Sequence, residues 1–190
     1  PATATSITVD AATKGQTMTG FGTAFQMKEN QLAAYVDQGC TLMRLFNDYV
    51  DFETNNDNND PNVLDRSKIN ISNIDIETVR KASAAGVTDF FITVLAPPAW
   101  MMQSLSDNAT EGAPDWNVTK HKVDPIYYDE YVEMMVSVIR LIKEETGIEI
   151  TAICPQNEPA YTEPYGSAIL DPIHMATVCG MLGKRLSDEG

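Results

Sequence analysis

Thr146-Gly147-Ile148-Glu149-Ile150-Thr151-Ala152-Ile153-Cys154-Pro155-Gln156-Asn157-Glu158-Pro159 holds one full phase of the fold. A glycine ends a helical stretch, and a short β-branched apolar run follows. Polar residues boxed by prolines then stop that run. The same phase recurs upstream, where Gln38-Gly39 precedes Cys40-Thr41-Leu42 and Ala85-Gly86 precedes a third apolar run. The strand candidates are Met18 to Phe25, Thr41 to Phe46, Asp89 to Leu95 and Glu149 to Cys154. They are nearly continuous in hydrophobicity, as strands covered on both faces are. Thr5 to Val9 alternates polar and apolar residues instead and is expected as a short extra strand at the edge.

The helices between these runs carry their own start signals. Asp124-Pro125 and Asp171-Pro172 each set an N-cap carboxylate before a proline at the first helical position. Past the first, Tyr131, Met135, Val138 and Ile142 share one face, and past the second Met175, Cys179, Leu182 and Leu186 do so. These are read as core residues. Alternating strand and helix predicts an α/β protein with a parallel sheet. Four right-handed βα units amount to half of a (β/α)8 TIM barrel. The expected organisation is an N-terminal strand segment over residues 1–17 and a half-barrel of strands 1–4 and helices 1–4 over 18–190. A free-standing flavodoxin-like sheet is the alternative. A half-barrel leaves sheet edges and an inner face open, so completion by a second polypeptide or fragment of similar size, or by self-association, is expected.

Composition sets outer limits. The chain has 190 residues, 43% hydrophobic and 21% charged, which is ordinary for one globular domain. Thirteen Lys and Arg against 27 Asp and Glu give a formal net charge of -14. That balance repels phosphate backbones and anionic lipid, so nucleic acid is not an expected partner. No apolar run is long enough for membrane insertion. Cys40, Cys154 and Cys179 are too scattered for a disulfide framework or a zinc knuckle and are expected to be small buried hydrophobes. His121 and His174 show no ligand spacing, so no metal site and no cofactor is expected. The start at Pro1 and the Asn-X-Ser/Thr triplets at Asn70, Asn108 and Asn117 suit a secreted, extracellular protein.

In parallel barrels reactive side chains follow the carboxyl ends of strands. Glu158 directly follows the fourth run, is held between Gln156-Asn157 and Pro159, and is the candidate general acid/base. Partial burial is expected to keep it protonated near neutral pH. Asn157 beside it can both donate to and accept from a sugar hydroxyl. Trp100, after Pro97-Pro98-Ala99, offers a flat face for sugar C–H groups or else plugs the barrel mouth. Arg44 between Met43 and Leu45 is expected to face a carboxylate. Asn47, Asp48 and Asp51 follow the second run, and Gln103 to Asp124 is expected as a long loop over or beside the cleft.

Gly20-Phe21-Gly22, Met43-Arg44, Pro97-Pro98-Ala99-Trp100-Met101, Tyr127-Tyr128 and Pro155-Gln156-Asn157-Glu158-Pro159, in this order, resemble glycoside hydrolase family 30. That family holds the retaining glucosylceramidases, β-1,6-glucanases and xylanases, and the resemblance runs from about Ile7 to Gly190. It implies a TIM-barrel hydrolase of O-glycosyl bonds, active in carbohydrate metabolism on a β-linked oligo- or polysaccharide or glycolipid. Glu158 is implied as acid/base, with Asn157 on the 2-hydroxyl beside the cleaved bond and Trp100 in the glycone subsite. Arg44 would orient the nucleophile, and Asp51 would hold glycone hydroxyls. The family's nucleophilic Glu comes from the seventh strand, which these residues do not reach. Ala96 and Met102 depart from the Ser and Lys often found there, which bears on substrate. A non-catalytic carbohydrate-binding or scaffold half-barrel is the rival expectation.

Overall fold

The computed structural model describes residues 5–24, 29–104, 121–161 and 166–190; of Glu29, Asn30, Ser104 and His121 it describes the backbone. In chain order the elements are β1 (Gly22–Ala24), α1 (Glu29–Asp37), β2 (Leu42–Asn47), α2 (Ile76–Ala85), β3 (Asp89–Val94), β4 (Met102–Ser104), β5 (His121–Val123), α3 (Tyr128–Thr146), β6 (Ala152–Cys154) and α4 (Pro172–Glu189). Short 3-10 turns occupy Ile71–Asn73, Ala99–Met101 and Pro125–Tyr127. β1, β2, β3 and β6 form one parallel sheet in that order, each joined to the next through a helix. The central register runs from Leu42 opposite Asp89 to Asn47 opposite Val94. This is the four-unit βα arrangement of a partial TIM barrel.

Strand pleating sorts the side chains onto two faces. Met43, Leu45, Phe90, Ile92 and Val94 are all at most 1% exposed and join one core with Val79, Ala82, Tyr131, Met135, Val138 and Ile142 from the helices. The opposite face carries Leu42, Arg44, Phe46, Phe91 and Cys154 half-buried and Ala152 exposed. The face that a closed barrel turns inward is therefore open in this chain.

Helix punctuation follows the chemistry of the chain. Asp124 caps through the Ile126 amide, and Asp171 accepts from the amides of Ile173 and His174. Pro125 and Pro172 stand at the first turns, where no N–H is needed. α2 and α3 end at Gly86 (φ 113°) and Gly147 (φ 74°). Gly86 is doubly constrained, since a Cβ there would also lie 2.9 Å from Val36 Cγ1.

Four expectations are corrected. Residues 5–9 form no strand; Ile7 and Val9 are 87% exposed. Alternation supplies a strand's face but no ladder partner, and no described strand runs beside this segment. On α4, Val178 and Leu182 are buried while Cys179 is exposed. Two overlapping apolar stripes run along that helix, and its packing against α3 selects the one carrying Val178. Cys40 and Cys154 are half-buried, so none of the three thiols is a core residue. The stretch expected as one long loop instead begins and ends in an antiparallel ribbon, with Met102 opposite Val123. Of the sequon asparagines, Asn70 is exposed, whereas Asn108 and Asn117 lie outside the described residues.

The connection from β2 to α2 folds over the carboxyl end of the sheet. Tyr49 and Phe52 anchor it, 1% and 0% exposed, with rings edge-to-face at 6.4 Å. Its Asn/Asp run holds itself in successive turns: Asn56 Oδ1 accepts from the Asn58 amide (3.1 Å), Asn58 Oδ1 from the Asp60 amide (2.6 Å) and Asp60 Oδ1 from the Asn62 amide (3.1 Å). Under this loop Glu53, Asp57 and Glu133 are all about 95% buried, beside Glu130. Burial, followed by the charges of Asp57 and Glu130, pushes Glu53 up to about 7. Burial and a hydrogen bond with Glu130, then the neighbouring carboxylates, push Glu133 well above the ordinary carboxylate range. Burial also lifts Asp75 to about 6.

Two tests follow from this packing. A Cβ at Gly22 would sit 2.5 Å from the Leu42 carbonyl oxygen, so Gly22→Ala must part β1 from β2. It is expected to cost about 1–3 kcal/mol in urea unfolding; an unchanged midpoint would place β1 elsewhere. The raised carboxylates bind protons in the fold that the unfolded chain has already released between about pH 4.5 and their folded values. Stability should therefore be greatest near about pH 5 and decline towards about pH 8. Glu133→Gln should flatten that decline in thermal melts, and an unaltered slope would show that the cluster does not titrate as described.

Candidate functional site

The chain leaves β2, β3 and β6 on the same rim, and backbone hydrogen bonds zip the three exits together. The Leu95 amide donates to Asn47 O (2.9 Å), the Tyr49 amide to Ala96 O (2.8 Å) and the Asn157 amide to Val94 O (2.8 Å). Residues distant in sequence thus share one rim, where parallel α/β sheets place ligands.

Arg44 and Asn157 meet directly. Arg44 Nη2 donates to Asn157 Oδ1 at 2.8 Å and Nε donates to Thr93 Oγ1 at 2.9 Å, while the guanidinium lies 4.1 Å over the Phe46 ring. The expected carboxylate partner of Arg44 is not found among the described residues. A neutral amide oxygen, a hydroxyl and an aromatic face hold the charge instead, and the half-open rim leaves it hydrated enough to need no counter-charge. The bond also orients the Asn157 amide, with its oxygen towards Arg44.

Glu158 follows in an unusual conformation. Its φ of 40° makes it the one non-glycine residue with positive φ among those described. Such left-handed backbone strains a side chain with a Cβ and persists only where neighbours hold it. The Tyr161 amide donates to Glu158 O (2.8 Å), and the Leu170 amide donates to Pro159 O (2.9 Å). Glu158, Pro159, Ala160 and Tyr161 line an open depression. Glu158 itself is exposed, so the partial burial expected around it is not supplied by the described residues. The inner face beside it is uncovered, and that is the physical reason.

Trp100 is half-buried on the turn after β3. Its Nε1 donates to Glu53 O (3.2 Å), and its ring stands edge-on to Tyr127 with centroids 5.2 Å apart. It ties the β3 exit to the β2 loop. Asp51 lies exposed in that loop, near enough to Asp48 for its charge, after burial, to help raise the Asp48 carboxyl. Arg44, Asn157 and Glu158 thus form one connected group, while Asp51 lies in the neighbouring β2 loop and Trp100 on the β3 exit tied to that loop.

Gln156 and Tyr131 were not among the site residues read from the sequence. Gln156 is 1% exposed and donates through Nε2 to Leu95 O (2.6 Å). Tyr131, 0% exposed on α3, donates to Gln156 Oε1 (3.0 Å). The available signal was an amide set immediately after an apolar strand, where burial demands partners. His174 pairs through Nδ1 with the Tyr128 hydroxyl and lies 3.6 Å from Asp171. Among the described residues no group of three or more His, Cys, Asp or Glu side chains is placed to hold a metal ion. No helix among the described residues is long and apolar enough to cross a membrane.

No family model and no curated protein matches the sequence. Solved structures do match the fold. Xyn30A from Clostridium acetobutylicum, a glycoside hydrolase family 30 subfamily 8 xylanase, superposes with a TM-score of 0.64 at 20% identity over 94% of this chain and 42% of its own. An endo-β-1,6-glucanase gives 0.68 at 23% identity over 95% and 44%. SrfJ from Salmonella typhimurium gives 0.68 at 21% over 92% and 42%. The chain spans about two-fifths of the length of these structures, and its fold is that of part of a glycoside hydrolase family 30 barrel.

Proposed function

We propose that this chain carries the acid/base half of a retaining β-glycoside hydrolase. The observation that supports this reading most is the linked group Arg44–Asn157–Glu158 on the rim of a family 30-like sheet, with Glu158 strained at φ 40° directly after the fourth strand of that sheet. Strain of this kind gathers at sites where a side chain must be aimed. Arg44 holds the Asn157 oxygen and so fixes the orientation of the amide that would meet a sugar 2-hydroxyl. Asp51 from the β2 loop and Trp100 from the β3 exit bound the glycone side of the cleft.

In this mechanism Glu158 protonates the glycosidic oxygen as it leaves. A second carboxylate, about 5–5.5 Å away in a retaining enzyme, attacks the anomeric carbon to form a glycosyl-enzyme ester. Glu158, now ionised, takes a proton from water, which displaces the ester and restores both groups. The second carboxylate belongs to the further βα units that close the barrel, whether on more of the same polypeptide or on a second one. Those units also cover the open inner face, and this supplies the burial that Glu158 needs to hold its proton. The substrate is a neutral β-linked glycan or glycolipid headgroup, in keeping with the acidic surface, and the site of action is extracellular.

Glu158→Gln in the closed barrel is expected to slow hydrolysis of natural β-glycans about 10²–10⁴-fold. The melting temperature should hold, because Gln keeps the size and shape of the Glu158 side chain. With an activated aryl β-glycoside, whose leaving group needs no proton, Glu158→Ala should respond to added azide by yielding the β-glycosyl azide. Turnover of natural substrate unchanged by either substitution would remove Glu158 from this role.

A further inference from the structure

We propose that Tyr131 and Gln156 are positioning residues that set the backbone on which Asn157 and Glu158 stand; this rests on the glycosidase reading above. The Gln156 amide is fully spent inside the protein. Its Nε2 donates to the Leu95 carbonyl (2.6 Å) and towards the Asn157 carbonyl (3.3 Å), and its Oε1 accepts from the Tyr131 hydroxyl (3.0 Å). The same hydroxyl lies against the Pro155 carbonyl, so one proton serves two acceptors on the β6 exit. Leu95 is the first residue past β3, so Gln156 bridges the β3 exit to the carbonyl that precedes Glu158. The Asn157 amide closes the clamp on Val94 O (2.8 Å).

Three features set this apart from ordinary core satisfaction. Tyr131 and Gln156 are 0% and 1% exposed, yet all the bonds named for them go to the two strand exits or to each other. Of the bonded carbonyls, that of Asn157 directly precedes the one non-glycine residue of positive φ among those described, and that of Pro155 lies on the same exit three residues before it. Burial also keeps the Tyr131 hydroxyl protonated far above its ordinary range, so it remains a donor at every working pH. A buried donor held by α3 therefore steers the acid/base through the backbone and not by touching it.

Tyr131→Phe removes the shared proton and keeps the ring, and Gln156→Met removes both donors and the acceptor for Tyr131 while keeping an unbranched side chain of similar length. Amide hydrogen exchange on the 190-residue chain reads the clamp locally. In both variants the Asn157 amide should exchange about 10-fold faster or more, while the amides of Phe90 and Ile92 hold their rates. In the closed barrel kcat should fall about 10- to 100-fold with KM within about twofold, since orientation and not binding is lost. Asn157 protection that stays unchanged, or that falls together with Phe90 and Ile92, would overturn the proposal. So would a fall carried by KM alone. A wild-type barrel inert on every β-glycoside would end the glycosidase reading, and amide exchange would still decide the clamp.

Discussion

The pairing of β2 with β3 is the constraint on which the rest depends. It is the longest ladder of the sheet, six residues on each strand, and its helix-facing side chains are all at most 1% exposed. Met43, Leu45, Phe90, Ile92 and Val94 seat α2 and α3 on one side. Their register also brings Asn47 level with Val94, and from that point the exits of β2, β3 and β6 bond to one another. A slip of one residue would turn Arg44 into the helix layer and Met43 onto the open face. The Arg44–Asn157 bond exists because this register does.

The two faces of the sheet are in different physical situations. On one, apolar burial is complete and the helices are held by it. On the other, Arg44, Phe46 and Phe91 remain half-open, and Arg44 uses an amide, a hydroxyl and an aromatic ring where a counter-ion was expected. A positive charge with no carboxylate partner among the described residues and an exposed, strained Glu158 lie on this uncovered side. Both are arrangements that become useful only in a desolvated cleft, where a charge acts strongly and a carboxyl group keeps its proton. The buried acids around Glu53 and Glu133 are on a different footing, because the protein already covers them.

Much of this was legible in the sequence because it rests on local chemistry. Glycines at the helix ends, the Asp-Pro starts and the continuous apolar runs each specify their element without reference to the remainder of the chain, and the sheet assembled from them is the expected one. The edges were less legible. β1 and β6 span three residues each, since an edge strand is laddered on one side only. Alternation at Thr5 to Val9 named a face but could not supply a neighbour. On α4 two stripes overlapped, and only packing against α3 chose between Cys179 and Val178. At the site, Glu158, Asn157 and Arg44 stood out by position and residue type. The Tyr131–Gln156 contact joins residues 25 apart through a hydroxyl on a helix face that otherwise reads as core, and periodicity carries no signal for it.

The most direct test of the central claim is mass spectrometry of the closed barrel after reaction with a 2-deoxy-2-fluoro β-glycoside bearing an activated leaving group. The 2-fluorine slows both formation and breakdown of the glycosyl-enzyme ester, and the activated leaving group restores formation alone, so the ester accumulates. A retaining glycosidase with Glu158 as acid/base predicts one fluoroglycosyl adduct per barrel, on a carboxylate outside these 190 residues. An adduct on Glu158 itself, or tight sugar binding with no adduct, would contradict it.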